Sequence, residues 1–255
     1  MNPILELNDV SYSYHTLDGE TKALSDITFS LAPGEFTAVV GPSGCGKSTL
    51  LSLIAGLMKP ENGTMTLSGE PLMENSSKIG YMLQHDHLFE WRTVYRNVLL
   101  GAEINKALTP EIKEKANKLL EQYGLERFAR SKPSELSGGM RQRAALIRTL
   151  LLEPELLLLD EPFSALDYQT RLTVSDDIGQ IIRRSGKTAL LVTHDLSEAV
   201  SLSDRVIILS KRPASIVRIV PIAFALEKDT PLNRRNAPEF KNYFNEIWKE
   251  LNHDE

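Results

Sequence analysis

Residues 41–49 read GPSGCGKST, which matches the pattern G-x-x-x-x-G-K-[ST]. The stretch follows the β-rich run FTAVV at 36–40 and opens the helical run STLLSLIAGLM at 48–58. That junction of strand, tight turn and helix leaves few alternatives for the fold. A glycine-rich turn there curls its backbone N–H groups inward beside the positive end of a helix, forming a cradle for a dense anion such as a triphosphate. Gly41, Pro42, Ser43, Gly44, Cys45, Gly46, Lys47, Ser48 and Thr49 are therefore candidate binding residues. Lys47 would supply a point charge between terminal phosphates, and the Ser48 hydroxyl is a hard oxygen suited to Mg²⁺.

A second element completes the first. The run LLLLDEP at 156–162 is a buried apolar strand that ends in Asp160 and Glu161. Ligands of α/β sheets bind at the carboxyl ends of strands, so both acids belong beside the phosphate loop. Asp160 is expected to hold hydrated Mg²⁺ and Glu161 to orient and polarise an attacking water.

The remaining pattern sets the architecture. Alternating runs at 4–14 and 23–31 predict half-buried strands, with further strands at 64–69 and 78–83. From Thr93 to Leu152 the pattern turns helical, with a cap at Thr109-Pro110 and a stop at Gly124. The unalternating runs at 156–160, 188–194 and 204–210 lie between helical segments, as in a parallel sheet covered on both faces. The expected fold is an α/β P-loop NTPase core with a mainly parallel sheet, an antiparallel β subdomain and an inserted α-helical subdomain. Its core would take residues 1–90 and 153–220, the insert 91–152 and a short amphipathic tail 221–255.

Composition excludes several function classes. The net charge is −5, so no global field favours nucleic acid or anionic lipid, and no nucleic-acid partner is expected. The arginine pairs at 183–184 and 234–235 read as solvated faces. The single cysteine, Cys45, rules out an internal disulfide framework and fits a reducing compartment. The N-terminus has no signal-peptide pattern, and no apolar run approaches the roughly 20 residues that span a bilayer. Work at a membrane would therefore go through a partner.

The motifs fall in a particular order. LSGGMRQR (136–143) precedes LLLLDEP, SALD (164–167) follows it, His194 closes the next strand in THD, and Gln84 ends another in YMLQ. Together these resemble the nucleotide-binding subunit of ATP-binding cassette (ABC) transporters over nearly the whole chain. The resemblance implies an ATPase that takes ATP with Mg²⁺. It also implies a head-to-tail dimer with a second copy or a paralogous subunit, in which ATP is sandwiched between the phosphate loop of one and the signature of the other. Ser137, Gly138 and Gly139 would then meet the γ-phosphate of the partner's nucleotide, the glycines allowing close backbone approach. Arg141 and Arg143 follow in the first turn, where packing or ion pairs are at least as expected as ligand contact.

The same resemblance implies that Tyr14 stacks on adenine, with an ordinary strand tyrosine as the alternative. Gln84 would join the Mg²⁺ and water network, His194 would contact the γ-phosphate, and Asp167 would couple the two sites. His85 and His87 flank Asp86, but a loop exposed beside a membrane partner accounts for them better than a metal site. Met140 stands where the commonest signature has glutamine. With the tryptophan of LFEWRTVYRNVLLG and the short tail, it points to the importer branch for nitrate, sulfonates, taurine and pyrimidine precursors. The implied setting is the cytoplasmic face of the inner membrane, with permease subunits and, indirectly, a solute-binding protein that set the solute. Residues 84–98, with Phe89 and Trp91 exposed, would receive a permease helix. Two rivals are a non-transport ABC ATPase, which would usually carry tandem cassettes or coiled-coil inserts, and a silent ABC-fold scaffold, which the catalytic set argues against.

Overall fold

The computed structural model describes residues 2–17 and 19–252. The central element is a six-stranded sheet. Strands β1 (Leu5–Thr16), β2 (Gly19–Leu31) and β3 (Phe36–Val40) come first in the chain, followed by helix α1 (Lys47–Ile54). Next are β4 (Asn62–Leu67), β5 (Glu70–Pro71) and β6 (Ile79–Met82). Helices α2 (Val94–Val98), α3 (Leu100–Ile104), α4 (Pro110–Gln122) and α5 (Gly138–Leu150) then run without an intervening strand. The chain continues with β7 (Leu156–Asp160), α6 (Tyr168–Ser185), β8 (Thr188–Val192), α7 (Leu196–Leu202), β9 (Arg205–Leu209) and β10 (Ile216–Pro221). It closes with α8 (Pro231–Asn236) and α9 (Pro238–Asn252).

The main sheet has the order β10-β9-β3-β8-β7-β6, parallel throughout except for β10 at one edge. A smaller sheet, β2-β1-β4-β5, is antiparallel. The apolar runs behave as two-sided strands must. In β7, Leu157 and Leu159 join one core with α5, α6 and α7, while Leu156 and Leu158 join another with α1 and the antiparallel sheet. β8 and β9 divide their residues in the same way. Burying a leucine is worth about 2 kcal/mol, so one residue of register slip would expose a full set on each face.

Local signals start and stop the helices. Thr109 accepts a bond from the Ile112 amide at the start of α4, and Asp167 accepts one from Thr170 at the start of α6. α6 ends at Gly186 in the left-handed conformation. The helix expected over 48–58 ends earlier, at Ile54, because the chain turns at Gly56 with φ 72°. α2 to α5 surround a third apolar cluster that includes Leu120, Ala144, Ile147 and Leu151.

The arginine pairs differ from expectation. Arg234 is only 3% exposed and bridges Asp229, Asp204 and the Ser203 carbonyl, with its guanidinium over the Phe224 ring. Arg235 is half-buried and donates to Ser175 Oγ at 2.8 Å. Neither is a solvated face: adjacent arginines on a short helix point into different parts of the same seam, and each finds oxygens there. Of the other pair, Arg183 bonds Asp204 and only Arg184 is exposed. α9 lays Ile247, fully buried, into the core beside the main sheet. Among the described residues, no helix is long and apolar enough to cross a membrane.

Candidate nucleotide site

The parallel arrangement brings the carboxyl ends of β3, β7 and β8 together. Each strand then delivers one part of the site: the 41–49 loop after β3, Asp160 and Glu161 at the end of β7, and His194 just beyond β8. A cavity of about 570 Å³ lies there, lined by Ser43, Gly44, Gly46, Lys47, Ser48 and Thr49 of the loop. Glu161, His194 and Arg212 line it as well. That volume suits a nucleotide-sized ligand.

The loop has no room for larger residues at two glycines. A Cβ on Gly41 would lie 3.0 Å from Cys45 Sγ and 3.1 Å from Leu209. Gly46 has φ 129°, and its Cβ would lie 2.9 Å from Leu24 Cδ2 and 3.0 Å from the Ala23 carbonyl oxygen. Lys47 Nζ folds back over the loop and donates to the carbonyls of Gly41 at 2.7 Å and Pro42 at 2.9 Å. Lys47 as a whole is 7% exposed, and these two bonds hold its ammonium over the backbone loop. Cys45 is buried beneath it.

The acidic side is equally constrained. Glu161 takes φ 43°, a left-handed conformation that a glutamate rarely adopts. Its amide donates to Val192 O at 2.8 Å, and its carbonyl accepts from the Ser164 amide and hydroxyl, which hold the turn. Its carboxylate Oε2 lies 3.1 Å from His194 Nδ1. Gln84 Nε2 lies 3.5 Å from the same oxygen and 3.2 Å from Ser164 Oγ. Asp160 accepts from Tyr81 Oη at 3.2 Å. Burial is the main cause that raises the Asp160 carboxyl above its ordinary value; the Tyr81 bond opposes it, the Glu161 charge adds to it, and the Lys47 charge opposes it. Asp160 and the Ser48 hydroxyl are hard oxygen donors of the kind that Mg²⁺ takes.

Tyr14 joins the cavity through Thr49, their hydroxyls 3.0 Å apart, and its ring stands edge-on to Tyr12. Its 39% exposure leaves ring surface open to a ligand. Ser137, Gly138 and Gly139 do not line the cavity of their own chain. Ser137 caps α5 by accepting from the Met140 amide. A Cβ on Gly138 would sit 2.8 Å from Leu166, and one on Gly139 would overlap Val174 Cγ2. Gly139 is therefore required by packing inside this chain, a reason that the motif alone does not give, whereas at Gly138 the end of the Leu166 side chain could give way. Met140 packs against the helical cluster, which explains how an apolar residue is accommodated there. Asp167 accepts from the Thr170 hydroxyl and amide, bonds that hold its carboxyl below the ordinary range.

Some contributors had no role assigned from the sequence. Ser164 Oγ ties Gln84 to the Glu161 turn; its place in SALD was the only signal for it. Asp86, between the two histidines, is committed to Arg141. Arg212 lines the cavity from a loop 165 positions after Lys47 (212 − 47) and carried no motif signal.

The ABC transporter family profile matches residues 24–164. The chain is 46% identical over 248 residues to an uncharacterized ABC transporter ATP-binding protein, YtlC, of Bacillus subtilis, covering 97% of this chain and 95% of the relative. It is 40% identical over 247 residues to the nitrate import ATP-binding protein NrtD of Synechocystis, covering 95% and 93%. It is 42% identical over 218 residues to the aliphatic sulfonates import ATP-binding protein SsuB of Bacillus subtilis, covering 86% and 82%. Among solved structures, it resembles the dimeric ATP-binding cassette MJ0796 in a post-hydrolysis state with ADP and Pi. That match has a TM-score of 0.69 and 31% identity, covering 84% of this chain and 99% of the other. With the phosphate loop, the acidic strand end and the signature in place, the chain belongs to the ABC transporter family as an ATPase subunit.

Proposed function

We propose that this ATPase subunit energises an importer for small solutes of the nitrate, sulfonate, taurine or pyrimidine-precursor type, at the cytoplasmic face of the inner membrane. The observation that carries the reading is the division of parts. Lys47, Glu161 and His194 surround one cavity, while Ser137, Gly138 and Gly139 present a helix start away from it. A second copy or a paralogous subunit, docked head to tail, brings that helix start over the cavity and completes two composite sites. The named relatives that import nitrate and sulfonates support the solute class.

The roles follow from chemistry. The amides of residues 41–49 and Lys47 bind the phosphates, and Tyr14 stacks on the adenine. Ser48 and Asp160, with Gln84 beside them, would hold Mg²⁺, which neutralises phosphate charge and polarises the terminal group. Glu161 orients a water and accepts its proton as the oxygen attacks the γ-phosphorus and ADP departs with the bridging oxygen. His194, its Nδ1 turned to Glu161, leaves Nε2 for the γ-phosphate. Asp167 links the two sites across the dimer. The nucleotide-binding core comprises 1–90 and 153–220, the helical insert 91–152 and the tail 221–255, of which residues 1, 18 and 253–255 lie outside the described set. Residues 84–98 receive the permease, and a solute-binding protein acts through it.

The test is a pull-down of tagged Glu161→Gln protein from detergent-solubilised membranes with ATP and Mg²⁺. Recovery of a polytopic membrane protein is the expected result. Recovery of soluble factors or ribosomes alone would remove the transport assignment and leave the ATPase.

A further inference from the structure

We propose that Arg212 is a second phosphate-binding cation of the nucleotide site. It lies outside every motif, in the 210–215 turn between β9 and β10, yet it lines the same cavity as Lys47. This inference rests on the nucleotide-site reading above and adds a residue to it.

Three observations support the assignment. The first is that the turn and the phosphate loop are braced by the same strand segment. Ala214 N donates to Ala23 O at 2.9 Å, and Ser25 N donates to Ala214 O at 2.9 Å. Gly46 meanwhile packs directly on Ala23 and Leu24. The turn is further closed by Ser210, whose hydroxyl donates to Lys211 O at 2.9 Å and accepts from Ser215 N at 2.9 Å. Arg212 is therefore carried on a backbone held in register with the loop, not on an unconstrained tip.

The second is charge. Lys47 and Arg212 are the two fixed cations among the described residues that line the cavity, and Glu161 is its one carboxylate. Lys47 already spends two donors on the carbonyls of Gly41 and Pro42. A nucleotide triphosphate retains about two negative charges after Mg²⁺ is bound, more than one ammonium offsets.

The third is availability. Arg212 is exposed and makes no ion pair among the described residues, whereas Arg141, Arg171, Arg183, Arg205, Arg218 and Arg234 each have a carboxylate partner. A guanidinium is a planar fork that fits phosphate oxygens in pairs. Its exposure makes the attraction sensitive to salt, so it should add to affinity without becoming indispensable.

The experiment is calorimetric titration of the full chain with MgATP and, separately, with inorganic triphosphate, at low and at raised salt. Arg212→Ala and Arg212→Gln should weaken both ligands by the same factor, about fivefold at low salt and less at high salt. Arg212→Lys should recover most of the affinity, with melting temperatures unchanged throughout. Unchanged affinities in Arg212→Ala and Arg212→Gln would overturn the proposal, as would a loss for MgATP that spares inorganic triphosphate. Lys47→Ala separates the two readings. Loss of binding there with Arg212→Ala unaffected removes Arg212 alone, whereas full binding by Lys47→Ala removes the cavity as the nucleotide site.

Discussion

Arg141 grips Asp86 through two bonds, Nε to Oδ2 at 2.8 Å and a terminal nitrogen to Oδ1 at 3.3 Å. Arg141 stands in the first turn of the signature helix α5, and Asp86 stands two residues after Gln84. The same guanidinium reaches Glu90 at 3.1 Å, and Arg148, two turns along α5, donates to the carbonyls of Asp86 and His87 at 2.8 Å each. One face of the signature helix therefore holds the segment that links Gln84 to Trp91.

That pairing predicts a measurable coupling. Burial alone would raise the Asp86 carboxyl, but the Arg141 bonds, the Leu88 amide and the charges of Arg141 and Arg148 together hold it below the ordinary value. Its stabilising contribution is present above the ordinary aspartate range and is lost as pH falls through the lowered folded value. A double-mutant cycle with Arg141→Ala and Asp86→Ala, read by urea unfolding near pH 7, should give about 1–2 kcal/mol of interaction. Additive single effects would show the pair to be inert.

Gly139→Ala isolates the packing role of the signature glycine. Alanine favours a helix over glycine by about 1 kcal/mol, but the added methyl overlaps Val174 of α6. Overpacking costs about 1–3 kcal/mol and should prevail, lowering the melting temperature. Val174→Ala in the same chain should restore it. A stabilised single variant would mean that α5 and α6 separate easily.

Glu198 carries a pH prediction. It is 4% exposed, accepts from Thr193 Oγ1 at 2.7 Å and lies beside the small cavity behind Glu161 and His194. Burial pushes its carboxyl from 4.5 up to about 7; the Thr193 bond opposes this, the Asp195 charge adds to it, and the charges of Arg171 and His194 oppose it. The folded state therefore keeps a proton that the unfolded chain has released, so stability falls as pH rises from about 4.5 to 7. The raised value corresponds to about 3 kcal/mol at most. Glu198→Gln should flatten that slope in unfolding measured across the same window. Parallel curves for the two proteins would contradict the assignment.

Trp91→Asp tests the proposed permease surface. Trp91 is 72% exposed and stacks on Phe89, itself 37% exposed, with ring centroids 4.7 Å apart. The variant should retain MgATP affinity and lose solute uptake in reconstituted vesicles, along with recovery of the membrane partner. Normal uptake would exclude this patch from the interface.

Local chemistry made the candidate parts of the site legible. A glycine-rich loop between strand and helix, a strand ending in Asp160-Glu161, and caps such as Ser137 and Thr109 each act through neighbours a few residues away, so spacing alone identifies them. The two-sided strands were equally readable, because an apolar run without alternation has to be covered on both faces. Only the tertiary structure decided which distant groups share a space. Arg141 meets Asp86 across 55 positions, Arg212 lines the same cavity as Lys47 on a turn that Ala214 braces on β2, and Gly139 is small because Val174 lies against it. Arg234 looked solvated by composition and is buried, because long-range packing surrounds it with oxygens. Contacts of that kind depend on how sheets and helices stack, and no local periodicity records them.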